Sequence, residues 1–383
     1  MALNTIPNKG LTNQGYPSDR IVTPLIINGD MAVAQRGTSE TGFGTAQKFV
    51  TDRFRNQPVY GSTAPTARFT ITQSTTVPTG QGFFNSLKWD CTTAQSSLTS
   101  DTGFTIEQRL EGQNVQSIKK GTSNAEKLTM AFWVRSNKTG TYICELVDND
   151  NTRHCSKSYT ISSADTWEKK VINFPADTTG AFGNDNALSL KLRIWLAAGS
   201  DFTGGTLATS FASVTNANTA VGQVNLADST DNEFYLTGVQ MEVGEFDSTS
   251  IPSFPFESFE NNLRKCQRYY KEIIRSLGSD TQIAPGTMYT STDFYGILFL
   301  GSGPMRATPT ITGSTGSNIY GVTGGGNSQA ANSLTFAQIT NGASPNTRVH
   351  VGSVGSKTQG HGQWVRFESA SSTSDFISAD AEL

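Results

Sequence analysis

Leu188, Leu190, Leu192, Ile194 and Leu196 alternate without a break with Ser189, Lys191, Arg193, Trp195 and Ala197. A strict period of two puts all five aliphatic side chains on one face of a strand. A helix would scatter them around its axis, so this stretch excludes an α-helical reading. The pattern recurs in Leu128-Thr-Met-Ala-Phe-Trp-Val-Arg135, where Leu128, Met130, Phe132 and Val134 face one way. Thr129, Ala131, Trp133 and Arg135 face the other. Strands of this kind are buried on one side and wetter on the other, the signature of antiparallel sheets.

The same alternation runs through Phe69 and Ile71, through Leu87, Trp89 and Cys91, and through Phe104 and Ile106. It continues in Tyr142–Val147, Tyr159–Ile161, Val171–Phe174 and Phe234–Val243, with polar turns between. Many short strands at such spacing predict an antiparallel sandwich. Charged residues are 16% of the 383, against about a quarter in an ordinary globular chain. Gly, Ser, Thr and Asn fill the difference, which suits strands and turns and disfavours long helices.

The expected fold is mainly β. An N-terminal arm (1–24) precedes an antiparallel jelly-roll β-sandwich (25–250), a linker and helix (251–278) and a smaller C-terminal β domain (279–383). Leu25-Ile-Ile-Asn-Gly-Asp-Met-Ala-Val-Ala34 reads as strand, turn and returning strand. After Pro252 and Pro255, Ser258 is a plausible N-cap. Phe259, Leu263, Cys266 and Tyr270 share one helical face, so the helix is expected to run through Tyr270 and end near Gly278. It reads as a bridge between two β domains. The tail restarts as β, with strand patterns in 294–300, 333–339, 347–351 and 364–367.

Net charge is −3 with no basic stripe, so no nucleic-acid partner is expected. No apolar run has the length to span a membrane, and no insertion is expected. Met1-Ala-Leu-Asn-Thr-Ile-Pro-Asn8 lacks the regions of a secretion signal, which gives the expectation of a product made in a cytoplasm.

Ordered pieces of the chain resemble a family of bacteriophage virion proteins labelled tail-fibre or receptor-binding proteins. They are Leu25-Ile-Ile-Asn-Gly-Asp-Met-Ala-Val-Ala-Gln-Arg-Gly-Thr38, Thr51-Asp-Arg-Phe54, Phe132-Trp-Val-Arg-Ser136, Gly140-Thr-Tyr142 and Asp165-Thr-Trp-Glu-Lys169. Leu236-Thr-Gly-Val-Gln-Met-Glu-Val-Gly244, Lys265-Cys-Gln-Arg-Tyr-Tyr270, Pro304-Met-Arg-Ala-Thr-Pro309 and Asp380-Ala-Glu-Leu383 complete the set. The resemblance implies a carbohydrate-binding-module-like jelly roll, a helix and a small terminal β domain. It also implies a virion location after assembly in the host cytoplasm, and a homo-trimer. The arm then docks on other virion proteins or on a neighbouring subunit.

Signals for catalysis are poor. The three histidines, His154, His350 and His361, flank no nucleophile motif. Gly352-Ser-Val-Gly-Ser-Lys-Thr358 lacks the Gly-Lys pair of a phosphate loop. A glycan-cleaving site needs two facing carboxylates, which no spacing here singles out. No catalytic residue, metal site or cofactor is expected, and the chain is read as non-enzymatic. Cys144 and Cys155 sit symmetrically about Asn149 and Asp150, so a simple hairpin would bring them opposite one another. Two reduced thiols is the favoured reading and a cross-strand disulfide the alternative. A Ca²⁺ on Asp148 and Asp150 is the residual metal reading.

The candidate carbohydrate-binding residues are Trp133 with Arg135, and Trp195 with Lys191 and Arg193. Each Trp lies on the less apolar face of a well-patterned strand beside a cation. An exposed indole is a flat apolar surface on which a sugar ring can stack, with polar neighbours for its hydroxyls. The competing reading is that a second layer, the arm or another subunit covers them. Exposure of both on one surface would favour sugar binding; burial of both would remove it. The expected function is attachment to host-surface polysaccharide as a tail fibre or appendage. The alternatives are a structural decoration or adaptor of the virion and, last, a glycan depolymerase.

Overall fold

The computed structural model describes residues 24–278, 281–301, 303–324, 327–338, 346–352, 354–355, 357–368 and 372–383. The expected arm lies outside them up to residue 23. The first part of the chain forms β1 (Ser39–Phe43), β2 (Lys48–Phe49), β3 (Arg55–Val59), β4 (Arg68–Ser74), β5 (Ser86–Thr93), β6 (Gly103–Glu111) and β7 (Leu128–Ser136). It goes on through β8 (Gly140–Asp148), β9 (Arg153–Ile161), β10 (Glu168–Phe174), β11 (Leu188–Ala198), β12 (Ala212–Ser213) and β13 (Glu233–Val243). A six-stranded sheet has the order β1-β4-β5-β13-β7-β10, and a seven-stranded sheet the order β12-β9-β8-β11-β6-β3-β2. The chain passes repeatedly from one sheet to the other, the winding of a jelly-roll sandwich.

The alternation read from the sequence decides what lies between the sheets. Leu128, Met130, Phe132 and Val134 of β7 meet Leu190, Leu192, Ile194 and Leu196 of β11 in one buried cluster. Each such side chain contributes about 1.5–3 kcal/mol by leaving water. At one end, Phe43 and Phe69 pack edge-on to Trp89, with centroids 4.9 and 5.0 Å away. The buried Trp89 Nε1–H donates to Asn56 Oδ1 at 2.8 Å, so the indole enters the core with its polar atom satisfied.

Residues 25–38 are not the expected hairpin. Asn28 and Met31 take φ of 61° and 59°, which breaks the strand at each. Asn tolerates that conformation. Its buried amide donates to the carbonyls of Val33 and Asp52 and accepts from Val33 N–H, so the segment is a buried tie.

The helix spans Phe259–Gln267, shorter than expected, with the Ser258 hydroxyl accepting from Asn261 N–H at 3.3 Å. Its buried face is Asn262 and Cys266, while Phe259 is 60% exposed. Tyr270 belongs instead to β14 (Tyr270–Arg275), which begins inside the segment read as linker and helix. Tyr270-Lys-Glu-Ile-Ile-Arg275 is rich in aromatic and β-branched residues, and its pairing partner from the chain's end wins over the helical spacing.

The remaining strands are β15 (Gln282–Met288), β16 (Phe294–Phe299), β17 (Thr310–Gly313), β18 (Tyr320–Gly324), β19 (Asn327–Ala331), β20 (Thr335–Gln338), β21 (Asn346–Val351), β22 (Gly362–Phe367) and β23 (Phe376–Asp380). They form the sheets β14-β23-β17 and β19-β18-β22-β15-β16-β21-β20 over a second apolar core.

Charged groups join the two β units. Glu111 of β6 accepts from Arg268 at 2.7 and 2.6 Å and from the Tyr269 hydroxyl at 2.6 Å. Arg36 reaches Asp380 and Glu382, both at 3.3 Å, and Arg53 pairs with Glu382. The same two arginines lie over Tyr270 and Tyr269, 3.6 and 3.4 Å from the ring centroids.

At the β8–β9 hairpin, Cys144 faces Lys157 and Cys155 faces Leu146. The turn is longer than a symmetric hairpin about Asn149 and Asp150, and it offsets the two cysteines by a register step. All four cysteines are buried and free. Asp148 is not open to a cation either: Lys120 Nζ sits 2.5 Å from its carboxylate, and Asp150 accepts from Gly183 N–H at 2.9 Å. No group of three His, Cys, Asp or Glu able to hold a metal occurs among the described residues.

Candidate functional site

The five residues singled out from the sequence fall on two different surfaces. β7 lies in the six-stranded sheet and β11 in the seven-stranded sheet, so their outward faces point away from each other. Trp133 and Arg135 belong to one; Lys191, Arg193 and Trp195 to the other.

Trp195 is fully buried, which removes it from the candidate carbohydrate-binding residues. The segment after β11 folds back over it: a helical turn, Ser200–Thr203, places Phe202 with its ring 5.1 Å from the indole. Ile143 and Ala220 complete a small apolar cluster, and Trp195 Nε1–H donates to Glu145 at 3.0 Å. The second layer weighed as a competing reading is therefore real at Trp195 and supplied by the same chain.

Trp133 is half-buried. Antiparallel register sets its neighbours. Glu168 opposes Val134 at the start of β10, and Trp167, just before it, reaches the ring of Tyr235. Arg135 opposes Tyr235, Tyr235 opposes Lys88, and Lys88 opposes Thr72. A row of Arg135, Tyr235, Lys88 and Thr72 thus crosses the outer face of four strands, with Trp167 at its end. The next row holds Lys169, Trp133 and Thr237.

These side chains hold each other in place. Arg135 donates to the Asp165 carbonyl and carboxylate, both at 2.9 Å, and its guanidinium lies 5.0 Å from the Tyr235 centroid. Trp167 meets Tyr235 edge-on at 6.1 Å. The Tyr235 hydroxyl donates to Glu233 at 2.7 Å, and Lys88 reaches Glu233 at 2.6 Å. Burial, then the Glu233 carboxylate, pushes the Tyr235 phenol upward. A bulge in β13 has Gly238 at φ +63°; a Cβ there would lie 2.6 Å from Phe83 and 3.1 Å from Trp133. Glycine is what lets both rings approach that backbone. The result is a platform of two half-buried indoles among fixed donors and acceptors, the composition that suits stacking on a hydroxylated ring.

The opposite face is charged. Arg55 and Gln57 of β3, Glu107 and Arg109 of β6, and Lys191 and Arg193 of β11 point outward together. Glu107 accepts from Arg193 at 2.9 Å and from Arg109 at 3.3 and 3.2 Å. Burial alone would raise its carboxyl, but Arg193, Lys191, Arg109 and Arg55 hold it down at about 2. Arg193 also reaches Glu145 at 3.1 Å. Sequence reasoning reached Lys191 and Arg193 but missed Arg55, Arg109, Trp167, Tyr235 and Lys88. Each lies far along the chain from its partner and is joined to it only by strand register.

No family model matches the chain, and no curated protein matches it. Among solved structures, the enzymatically active domain of tailspike protein 4 of bacteriophage CBA120 is similar at 12% identity and a TM-score of 0.28, over 57% of this chain and 21% of that one. A family 11 carbohydrate-binding module from Clostridium thermocellum, solved with a β-1,3-1,4-mixed-linked tetrasaccharide, is similar at 10% identity and a TM-score of 0.27. It covers 55% of this chain and 98% of its own. TmCBM61, solved with β-1,4-galactotriose, is similar at 8% identity and a TM-score of 0.28, over 58% of this chain and 99% of its own.

Proposed function

We propose that this chain is a non-enzymatic virion protein, a tail fibre or appendage that attaches to host-surface glycan through the outer face of its six-stranded sheet. The observation that carries this reading is the row of Trp167, Arg135, Tyr235 and Lys88 beside Trp133. Indole faces supply apolar stacking surface, and the charged neighbours, tied down by Asp165 and Glu233, supply oriented hydrogen bonds. Two half-buried indoles around the buried Tyr235 offer limited stacking surface, which favours weak sites that gain strength when a symmetric trimer presents several at once. The test is a glycan array with the full chain and its Trp133→Ala and Trp167→Ala variants. Absence of reducing-end release from a bound polysaccharide separates attachment from depolymerisation.

A second reading is favoured by the C-terminal unit. On the outer face of its larger sheet, Trp364, Ile297 and Phe299 are 47, 46 and 65% exposed. Grouped apolar exposure is the mark of a protein-docking surface, and it fits a decoration or adaptor that binds other virion proteins.

A further inference from the structure

We infer that Lys120 and Asp148 are the two partners of an intramolecular isopeptide bond, formed by condensation of the lysine amine with the aspartate carboxyl while Asp177 relays a proton. Lys120 follows the short helical turn Gln116–Ile118 between β6 and β7, Asp148 ends β8, and Asp177 follows β10. All three are buried. Lys120 Nζ lies 2.5 Å from Asp148 Oδ2 and 3.1 Å from Asp177 Oδ2, and it donates to the carbonyls of Thr179 and Gly180 at 2.7 and 2.8 Å. The rings of Phe182 and Phe211 stand 5.3 and 6.0 Å from the same nitrogen.

Reacting groups held this close have already met the entropic cost of encounter. What ordinarily stops an amine from condensing with a carboxylate is charge, since an ammonium is no nucleophile and a carboxylate a poor electrophile. Burial weakens that protection, because an ion pair taken out of water is costly to keep charged. The charges also balance before and after. Arg153 donates to both Asp177 oxygens at 2.9 and 3.1 Å, so neutralising Lys120 and Asp148 leaves a matched pair behind. Burial raises the Asp177 carboxyl, but Arg153 and Lys120 outweigh that and hold it below its ordinary 3.8, so it stands ionised as a proton acceptor.

The step balances as follows. One proton passes from the Lys120 ammonium to Asp148 Oδ2, giving a neutral amine and a neutral acid. Nζ then attacks Cγ. Asp177 takes a second proton from the nitrogen and returns it to Oδ2, which leaves as water, and the third hydrogen stays on the new amide. Oδ1 carries the negative charge of the intermediate and becomes the amide oxygen. Asn151 supports it with its backbone N–H at 3.0 Å and its side-chain amide at 3.2 Å. The remaining N–H serves one of the two backbone carbonyls. Thr179 is exposed, so water takes the place of the hydrogen its carbonyl loses. The bond ties the β6–β7 connection to the β8–β9 hairpin, the kind of loop closure a disulfide supplies, in a chain whose four cysteines are free.

This crosslink stands without the aromatic platform. The test is the intact mass of the purified full chain, fresh and after ageing folded at neutral pH, with tryptic mapping by tandem mass spectrometry. The expected mass is about 18 Da, one water, below that of the sequence with or without Met1. The expected digest holds a branched peptide in which Lys120–Lys127 is joined through Lys120 to Asp148 of Thr139–Arg153. Lys120→Arg restores the sequence mass. Asp177→Ala, which keeps both partners, condenses at least about tenfold more slowly. A wild-type chain that keeps the full sequence mass, with trypsin cutting after Lys120, overturns the proposal whatever the variants do. A mass loss carried by an unbranched peptide overturns it too, and an Asp177→Ala chain that condenses as fast as wild type overturns the proton relay.

Discussion

The guanidinium of Arg135 lies 5.0 Å from the centre of the Tyr235 ring, on the adjacent strand and in direct register with it. Asp165 holds the other side of the same guanidinium. Arg135→Ala is expected to lower glycan affinity about tenfold, the loss of one charge-assisted hydrogen bond. An ion pair this exposed contributes about 0–1 kcal/mol to folding. Chemical denaturation of the variant should accordingly show a near wild-type midpoint while binding falls.

Glu111 anchors the joint between the two β units through Arg268 and Tyr269. Glu111→Ala removes a fully buried partner from both and is expected to cost about 3 kcal/mol. Burial raises its carboxyl, but Arg268 and Tyr269 outweigh that and hold it below its ordinary 4.5. The stabilisation is therefore present above pH 4.5 and lost as pH falls through the lowered value. The wild-type advantage over Glu111→Ala, followed by denaturation at decreasing pH, should shrink below pH 4.5.

Lys191 is charged at neutral pH in a place that disfavours the charge, facing Glu107 and Arg109 from β6 and Glu145 from β8. Lys191→Met is expected to be more stable than wild type at pH 7, by about 2 kcal/mol after allowance for partial exposure. Between pH 8 and 10.5 the folded lysine loses its proton while the unfolded one keeps it, so wild-type stability rises relative to the variant. The gap should close across that window.

Cys144 and Cys155 face different partners across their hairpin, and burial pushes both thiols upward. Reductant should leave the melting temperature unchanged. Iodoacetamide should label neither thiol until the chain is unfolded, as read by mass spectrometry.

The period-two faces of β7 and β11 were legible because one rule, alternate burial, acts residue by residue. Cover over Trp195 was one of the readings its place on the outer face left open, but which segment supplies it was not legible, because that segment has no periodicity of its own and is placed by Phe202 and Ala220. The helix end was misread because Phe259, Leu263, Cys266 and Tyr270 satisfy helical spacing, whereas Tyr270 answers to Asp380, over a hundred residues away. The platform was half visible. Trp133 and Arg135 follow from strand alternation, but Trp167 joins them only through the β7–β10 register. Asp165-Thr-Trp-Glu-Lys169 and Phe132-Trp-Val-Arg-Ser136 both carry the resemblance, and they lie side by side in the sheet.

Glycan-array binding by the full chain, beside Trp133→Ala and Trp167→Ala, tests the attachment reading most directly. Wild type is expected to bind a defined set of host-surface glycans. Each variant should lose about tenfold or more while its circular dichroism spectrum shows that it stays folded at the assay temperature. No glycan signal from wild type, together with virions that fail to assemble without the protein, would contradict attachment and leave the adaptor reading in its place.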